Sequence, residues 1–224
     1  MARYPMNLFD LDGTLTDPKI GITKSVQYAL KRMGIDEPDL DRLECFIGPP
    51  LMESFSTYYQ MNEADARKAI GFYRERFKEK GLFENALYPD VPNLLQSLKD
   101  ARHTLIVATS KPTVFSERIL THFRIDGYFD AIVGSNLDGT RSAKAEIIQY
   151  ILNHYQNRDP DQFVMVGDRK HDIIGAKESG IDSIGVTYGY GSIEEIRCAE
   201  PTYVADDRFE LGDLLMDRSL KNRE

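Results

Sequence analysis

Residues 6–14 read MNLFDLDGT, so that two aspartates, Asp10 and Asp12, come directly after a short apolar run. The run Met6–Phe9 predicts a buried strand, because short apolar runs are typical of strands covered on both faces. Residues that follow a strand of a parallel sheet lie at its carboxyl edge, where binding sites form. The pattern indicates a functional site, and the alternative is an ordinary turn, in which Asp, Gly and Thr are common.

Similar apolar runs recur along the chain and alternate with segments of helical spacing. Further strands are predicted at Thr104–Ala108, Ala131–Val133, Phe163–Val166 and Ser183–Val186. Helices are predicted at Val91–Leu98, Val114–Phe123, Ala143–Tyr155 and Asp172–Ser179. This alternation predicts an α/β fold with a doubly wound parallel sheet.

One interval, from about Pro18 to Gly81, contains no strand-like run. Apolar residues at helical spacing predict three helices there, over Ile22–Met33, from near Pro50 to Tyr59, and over Ala66–Phe77. We therefore predict a catalytic core of residues 1–16 and 84–224, with a small all-helical cap domain of residues 17–83 inserted after the first strand.

A second acidic motif follows the predicted strand Phe163–Val166, where Asp168 and Asp172 stand in the sequence GDRKHD. If this strand lies beside the first one, Asp10 and Asp168 can share a hard divalent cation through their oxygen atoms, as Mg²⁺ prefers. Asp172 has an alternative role, because an acidic residue stabilises the N-terminus of a helix. The motif predicts a magnesium site.

Charge and composition exclude several classes of partner. The net charge of −8 disfavours binding to nucleic acid or to an anionic membrane, since both need a basic surface. The cysteines, Cys45 and Cys198, form no zinc motif or disulfide framework. No signal peptide or apolar run of membrane-spanning length is present. We expect a cytoplasmic enzyme and leave its oligomeric state open.

Together the two acidic motifs resemble those of the haloacid dehalogenase superfamily, over nearly the whole chain. The first motif of that family matches residues 10–14, and its fourth motif matches residues 167–172. The resemblance implies a Rossmann-like core in which Asp10 is the nucleophile and Asp12 the general acid and base. It also implies a metal site built from Asp10, Asp12, Asp168 and Asp172.

The resemblance further implies a phosphate-binding group of residues. The second family motif is a strand that ends in Ser or Thr, and it matches Thr109 and the neighbouring Ser110. Gly13 and Thr14 of the first motif complete the predicted substrate-binding residues. Taken alone, Thr109 fits an ordinary strand-end residue, because β-branched residues favour strands, and only its combination with the other motifs indicates a phosphate-binding role.

The third family motif is a lysine that neutralises the phosphate and the nucleophile. Lys144 occupies the corresponding place, before the strand that leads to Asp168. Many relatives carry a proline after this lysine, whereas Ala145 follows here. Lys111, which precedes Pro112, is therefore the rival assignment.

The activity implied by the resemblance is that of a phosphoric monoester hydrolase. It is a magnesium-dependent phosphatase that acts on a small phosphorylated metabolite through an aspartyl-phosphate. Asp12 favours phosphoryl transfer, because dehalogenating relatives lack the second acid. The helical segment resembles the small C1-type cap of the phosphoglycolate phosphatase branch, which includes 5′-nucleotidase-like members. The expected substrate is phosphoglycolate or a nucleoside 5′-monophosphate. The loop Ile47–Pro50 either faces that substrate or only begins a helix.

Two other functions remain open from the sequence. A phosphomutase would use the same intermediate but return the phosphoryl group to a sugar. A phospho-accepting signalling module also combines acidic residues with a threonine and a Lys-Pro pair, as in Thr109, Lys111 and Pro112. Such modules are much shorter and carry no helical insertion, which favours the phosphatase.

Overall fold

The computed structural model describes residues 3–217 of the chain. The strands are β1 (Met6–Phe9), β2 (Thr16–Asp17), β3 (Ala86–Leu87), β4 (Thr104–Pro112), β5 (Ala131–Ser135), β6 (Phe163–Gly167), β7 (Asp182–Val186) and β8 (Tyr203–Ala205). The helices are α1 (Lys19–Arg32), α2 (Leu51–Tyr59), α3 (Glu63–Arg76), α4 (Val91–Asp100), α5 (Thr113–His122), α6 (Lys144–His154), α7 (Lys170–Glu178), α8 (Ile193–Cys198) and α9 (Arg208–Leu215). A π-helical turn, Phe77–Gly81, follows α3 directly.

Six of the strands form one parallel sheet in the order β5-β4-β1-β6-β7-β8. The strand β1 lies at its centre, where Phe9 stands opposite Val107 of β4 and Val166 of β6. The strand order reverses beside β1, and in sheets of this kind ligands bind at the carboxyl edge next to that reversal. The predicted α/β, doubly wound fold class is confirmed.

Helices cover both faces of this sheet, so that every residue of β1 is buried. On one face Phe9 belongs to an apolar cluster with residues of α4 and α9, such as Leu95 and Leu211. On the other face Leu8 belongs to a cluster with Ile151 of α6. Burial on both faces explains why the sequence of this strand is apolar except for Asn7, whose side chain donates to the carbonyl of Tyr4, and shows no regular alternation.

The helices α1, α2 and α3 lie between β2 and β3, in the segment 17–83 that the sequence predicts as a helical insertion, and we keep that name for it. The chain enters and leaves it through an antiparallel ribbon of β2 and β3, in which Thr16 lies opposite Leu87. Its apolar side chains, such as Val26 and Phe55, join the same cluster as one face of the sheet. One strand of the ribbon stands at each end of the insertion. The division of the chain into two domains stays a prediction.

The observed elements depart from the predicted ones at three short strands and at two helices, α8 and α9, which the sequence did not indicate. The sequence did not indicate β2, β3 or β8, because runs of two or three residues carry no readable period. The strand β4 continues past Ala108 to Pro112, with a shift in its register against β5. Within residues 3–217, no helix has the length and apolarity that crossing a membrane requires.

Candidate active site

The site lies at the carboxyl edge of the three central strands. Asp10 follows β1, Asp168 follows β6, and Thr109 lies in β4, and the sheet order makes these strands neighbours. The backbone N–H of Asp10 donates a 2.9 Å hydrogen bond to the carbonyl of Val166, which fixes Asp10 beside β6. All three side chains are buried. Asp10 and Asp168 therefore lie side by side at this edge of the sheet, as the sequence predicts.

Lys144, the first residue of α6, lies between two carboxylates. Its Nζ is 2.9 Å from Asp10 Oδ1 and 2.6 Å from Asp172 Oδ1, and it donates to the carbonyl of Ala108 at 2.9 Å. Burial alone lowers the pKa of the Lys144 ammonium, but the Asp10 and Asp172 carboxylates raise it above its usual value. Lys144 is therefore charged at neutral pH.

Asp168 is held from two sides by hydrogen bonds. Its Oδ1 accepts from Thr14 Oγ at 3.2 Å, and its Oδ2 accepts from the backbone N–H of Tyr190 at 2.7 Å. Gly13 has φ of +85°, and a Cβ at this position would overlap the Asp168 carboxylate. Burial, followed by the neighbouring carboxylates, raises the pKa of Asp168 well above its usual value. A cation bound beside Asp168 would stabilise its charged form.

Three of the acidic residues lie close enough to share a metal ion. Asp10, Asp168 and Asp172 each offer an oxygen atom, and these atoms lie within 4.8 Å of one another. With Asp12, the site contains four buried carboxylates against the buried ammonium groups of Lys144 and Lys111. The excess of negative charge and the all-oxygen donor set fit a hard divalent cation such as Mg²⁺.

Asp12 lies apart from that cluster and pairs with a second lysine. Its Oδ2 is 2.7 Å from Lys111 Nζ, which also lies 4.5 Å from the ring centre of Phe77. Its Oδ1 is buried and has no hydrogen-bond partner among residues 3–217. Burial raises the pKa of Asp12, and Lys111 opposes this shift. The assignment of Asp12 as a metal ligand stays a prediction.

The two residues of the second predicted motif differ in their contacts. Thr109 is buried, and its Oγ accepts a 3.3 Å hydrogen bond from the backbone N–H of Lys111. Ser110 is half-buried, and its carbonyl accepts from Ser135 Oγ at 2.8 Å. Thr109 therefore lies at the end of the buried part of β4, next to Ala108, whose carbonyl accepts the hydrogen bond from Lys144.

A cavity of about 540 Å³ opens beside Asp12, between the helical insertion and the core. Residues of α3 and the π-helical turn form one wall, and the ends of β4 and β5 form part of the other. Gly48, Pro49 and Pro50 line the cavity, and α2 begins directly after Pro50. The loop therefore faces the cavity and also begins a helix.

Arg169 joins that loop to the acidic cluster, a role that the sequence did not indicate. Arg169 follows Asp168 directly, and its Nη1 donates to the carbonyl of Ile47. Its Nε donates to Glu195 Oε1 at 2.9 Å. Gly48 has φ of +101°, and a Cβ there would lie 2.7 Å from Arg169 Cγ. A charged residue after a strand end carries no sequence signal for such a contact.

The sequence also missed the residues that enclose Asp168 from the β7 side. Residues 188–191 read YGYG and follow β7, which is the neighbour of β6. A Cβ on Gly189 or Gly191 would overlap atoms of Asp168, and Tyr190 donates the backbone hydrogen bond described above. The run of glycines after a predicted strand was the signal that could have revealed this contact.

Comparison with known proteins identifies the relatives of the chain. Residues 7–186 match the family model described as haloacid dehalogenase-like hydrolase. A 5′-nucleotidase of Pseudomonas aeruginosa is 52% identical over 213 residues, which cover 95% of this chain and 96% of the relative. A phosphoglycolate phosphatase of Colwellia psychrerythraea is 32% identical over 91% of this chain and 93% of its own length.

Two further comparisons bear on structure and on a different activity. The crystal structure of a predicted phosphatase from Clostridium acetobutylicum matches with a TM-score of 0.92 and 50% identity, over 97% of this chain and 99% of that one. The tyrosine-protein kinase PtkA of Mycobacterium tuberculosis is 38% identical over 88% of this chain and 67% of its own length.

Proposed function

The chain belongs to the haloacid dehalogenase-like hydrolase family, and from that premise we propose that it is a phosphatase that hydrolyses a small phosphomonoester through an aspartyl-phosphate on Asp10. The observation that carries the proposal is that the two aspartates of the first motif, Asp10 and Asp12, contact different lysines. Asp10 belongs to the cluster with Lys144, whereas Asp12 faces a cavity and pairs with Lys111. Two aspartates in different surroundings suit two different tasks.

In the first step, an oxygen of Asp10 attacks phosphorus and forms the aspartyl-phosphate, while the bond from phosphorus to the substrate oxygen breaks. Asp12 gives its proton to that departing oxygen, which leaves as an alcohol. Lys144 contacts Asp10 directly and would also contact the transferring phosphoryl group, whose negative charge it stabilises. Thr109, at the end of β4, is the proposed hydroxyl donor to the same group.

In the second step, water attacks phosphorus and gives a proton to Asp12. The bond from phosphorus to Asp10 breaks, inorganic phosphate leaves, and both carboxylates return to their initial state. A Mg²⁺ ion held by Asp10, Asp168 and Asp172 would supply charge neutralisation for the phosphoryl oxygens. Thr14 and Tyr190, which bond to Asp168, would hold that ligand in place.

The substrate that we propose is a small phosphorylated metabolite of the phosphoglycolate or nucleoside 5′-monophosphate class. The names of the Pseudomonas and Colwellia relatives support this class. The cavity of about 540 Å³ falls within the range typical of small-molecule sites. The free cysteines, Cys45 and Cys198, agree with the cytoplasmic location that forms part of the proposal.

A second candidate activity is phosphoryl transfer to a tyrosine hydroxyl, which the similarity to PtkA favours. A phosphomutase is the third, with a sugar hydroxyl as acceptor. All three differ in the group that receives the phosphoryl group. Analysis of the products separates them, since a phosphatase releases inorganic phosphate, whereas the others form phosphotyrosine or an isomeric sugar phosphate.

The direct test is turnover of p-nitrophenyl phosphate by the wild type and by Asp10→Asn, with Mg²⁺ and with EDTA. We expect turnover that requires Mg²⁺ and falls by at least about 10³-fold in Asp10→Asn, because an amide cannot act as the nucleophile. Asp213→Asn, on the exposed side of α9, is the matched control and should retain full activity. Undiminished activity of Asp10→Asn would overturn the proposal.

A further inference from the structure

The cavity beside Asp12 is where the leaving group of the substrate would lie. This inference rests on the proposed function, in which Asp12 protonates the departing oxygen. The group attached to that oxygen must then occupy the space that Asp12 lines. Asp12 lines the cavity, whereas Asp10, Asp168 and Lys144 do not. The cavity walls therefore determine which leaving group is accepted.

One of these walls carries an arginine without a carboxylate partner. Arg74 lies on α3 and is half-buried, and its Nη1 donates a 2.6 Å hydrogen bond to the carbonyl of Leu137. Within residues 3–217 no carboxylate lies within ion-pair distance of it, and that carbonyl is its one protein acceptor. A guanidinium carries five N–H donors, so most of them remain available for a ligand.

The other cations that line the cavity are already neutralised. Lys111 pairs with Asp12 at 2.7 Å. Arg67, which lies about two helical turns before Arg74 on α3, pairs with Glu63 at 2.7 Å. A charge removed from water is costly unless an opposite charge compensates it. Burial accordingly lowers the pKa of Arg74. Of the lining cations in the described part of the chain, Arg74 alone lacks an acidic partner.

We propose that Arg74 binds a second oxyanion, a carboxylate or a phosphate, on the leaving group of the substrate. The preferred substrate is then a phosphomonoester whose alcohol part carries its own negative charge. Such a molecule would reach from the acidic cluster of Asp10, Asp168 and Asp172, where its phosphoryl group reacts, to α3 of the helical insertion. Arginine suits this role because its planar fork matches the two oxygens of a carboxylate or phosphate.

A purely structural role for Arg74 makes a different prediction. Its bond to the Leu137 carbonyl also joins the helical insertion to the core. If this contact were its whole function, loss of Arg74 would lower activity equally on charged and uncharged leaving groups. A comparison of matched substrates therefore distinguishes the two roles.

The test uses 2-phosphoglycolate against ethyl phosphate, and 1,3-propanediol bisphosphate against propyl phosphate. Within each pair the second anion is the main difference. The Arg74→Gln substitution should lower kcat/KM for one or both of the doubly anionic substrates by about 10- to 100-fold, the value of a charged hydrogen bond. It should change kcat/KM for ethyl and propyl phosphate by less than about threefold. Arg74→Lys should retain part of the preference.

Lys68→Gln is the matched control, because Lys68 lies on the same helix, is exposed and does not line the cavity. It should leave both preferences unchanged, and thermal unfolding should show that both variants fold. Equal losses of Arg74→Gln on charged and uncharged substrates, or no loss on either, would overturn the inference. If the wild type hydrolyses the uncharged esters without preferring the charged ones, the inference fails while the proposed function stands.

Binding gives a readout that does not depend on turnover. Calorimetry would compare 3-phosphonopropionate with propylphosphonate, which mimic the first substrate pair but cannot be hydrolysed. We expect the wild type to bind 3-phosphonopropionate at least about tenfold more tightly, and Arg74→Gln to lose this difference. Equal affinities in the wild type would contradict the inference even if the chain proved to have no phosphatase activity.

Discussion

At the scale of single residues, the two buried lysines have different surroundings and therefore different expected roles. Lys144 contacts Asp10 and Asp172, which belong to the cluster that fits a metal. Lys111 contacts Asp12 and the ring of Phe77 at the edge of the cavity. This geometry supports Lys144 as the lysine that neutralises phosphate and nucleophile.

Substitution of each lysine by methionine tests that assignment. We expect Lys144→Met to lower kcat by about 10²–10³-fold, the usual cost of losing one group that stabilises charge in a transition state. It should also raise the inhibition constant of inorganic phosphate at least about tenfold, because a charged contact to the phosphate is lost.

Lys111→Met is the comparison variant, since it removes an equally buried ammonium that does not contact Asp10. Its inhibition constant for inorganic phosphate should stay within about threefold of the wild type. Steady-state inhibition assays measure both variants. A larger effect from Lys111→Met than from Lys144→Met would reverse the assignment.

At the scale of elements, the turn from β6 to α7 connects the acidic cluster with the cavity. Its side chain Arg169 bonds to the carbonyl of Ile47 in the helical insertion and pairs with Glu195 of α8. The Gly48 loop packs directly on this arginine. The position of the loop over the cavity therefore depends on a residue adjacent to Asp168.

Loss of Arg169 should affect substrate binding more than the chemical step. We expect Arg169→Ala to raise KM by about tenfold and to change kcat less, because the loop 47–50 loses its hydrogen bond to the core. Stability should fall by about 1–3 kcal/mol, since Glu195 loses its charged partner. Steady-state kinetics and denaturant unfolding measure the two effects.

Glu195→Gln provides the control for that experiment, because it removes the ion pair and keeps the bond from Arg169 to Ile47. It should lower stability but leave KM within about threefold. If Glu195→Gln raises KM as much as Arg169→Ala does, the ion pair rather than the loop contact determines binding.

The elements that the sequence predicted well are those with a long or buried pattern. The run Met6–Phe9 is mostly apolar because helices cover both faces of the sheet, and α6 carries an apolar stripe because that face is buried. An apolar run in the first case and helical spacing in the second were therefore sufficient to predict the element. The ribbon of β2 and β3 was not predictable, since each strand has two residues and pairs across the whole helical insertion. Its partner lies far away in sequence.

The same limit applied to the site. Asp10, Asp12 and Asp168 were indicated because each follows an apolar strand, and the sheet order brings Asp10 and Asp168 together. The pairing of Asp12 with Lys111 depends on the irregular part of β4 between Ala108 and Pro112, where the register shifts and which no local pattern records. Contacts made by single long side chains between distant segments require the structure.

At the scale of the whole molecule, the fold separates two tasks. The carboxyl edge of the sheet holds the acidic cluster, and the space between sheet and helical insertion holds the cavity. Asp12 lies at the border of the two, with Lys111 beside it. The account therefore requires that Asp10 carry the phosphoryl group, while Asp12 protonates the leaving group and takes a proton from the attacking water.

The most direct test of this account traps the intermediate. Asp12→Asn should react once with p-nitrophenyl phosphate, whose leaving group needs no proton, but hydrolyse the aspartyl-phosphate slowly because it lacks the base. Acid quenching followed by borohydride reduction converts a phosphorylated aspartate to homoserine, which mass spectrometry locates. The account predicts homoserine at position 10. Reduction at another carboxylate, or release of product without any reduction at Asp10, would contradict it.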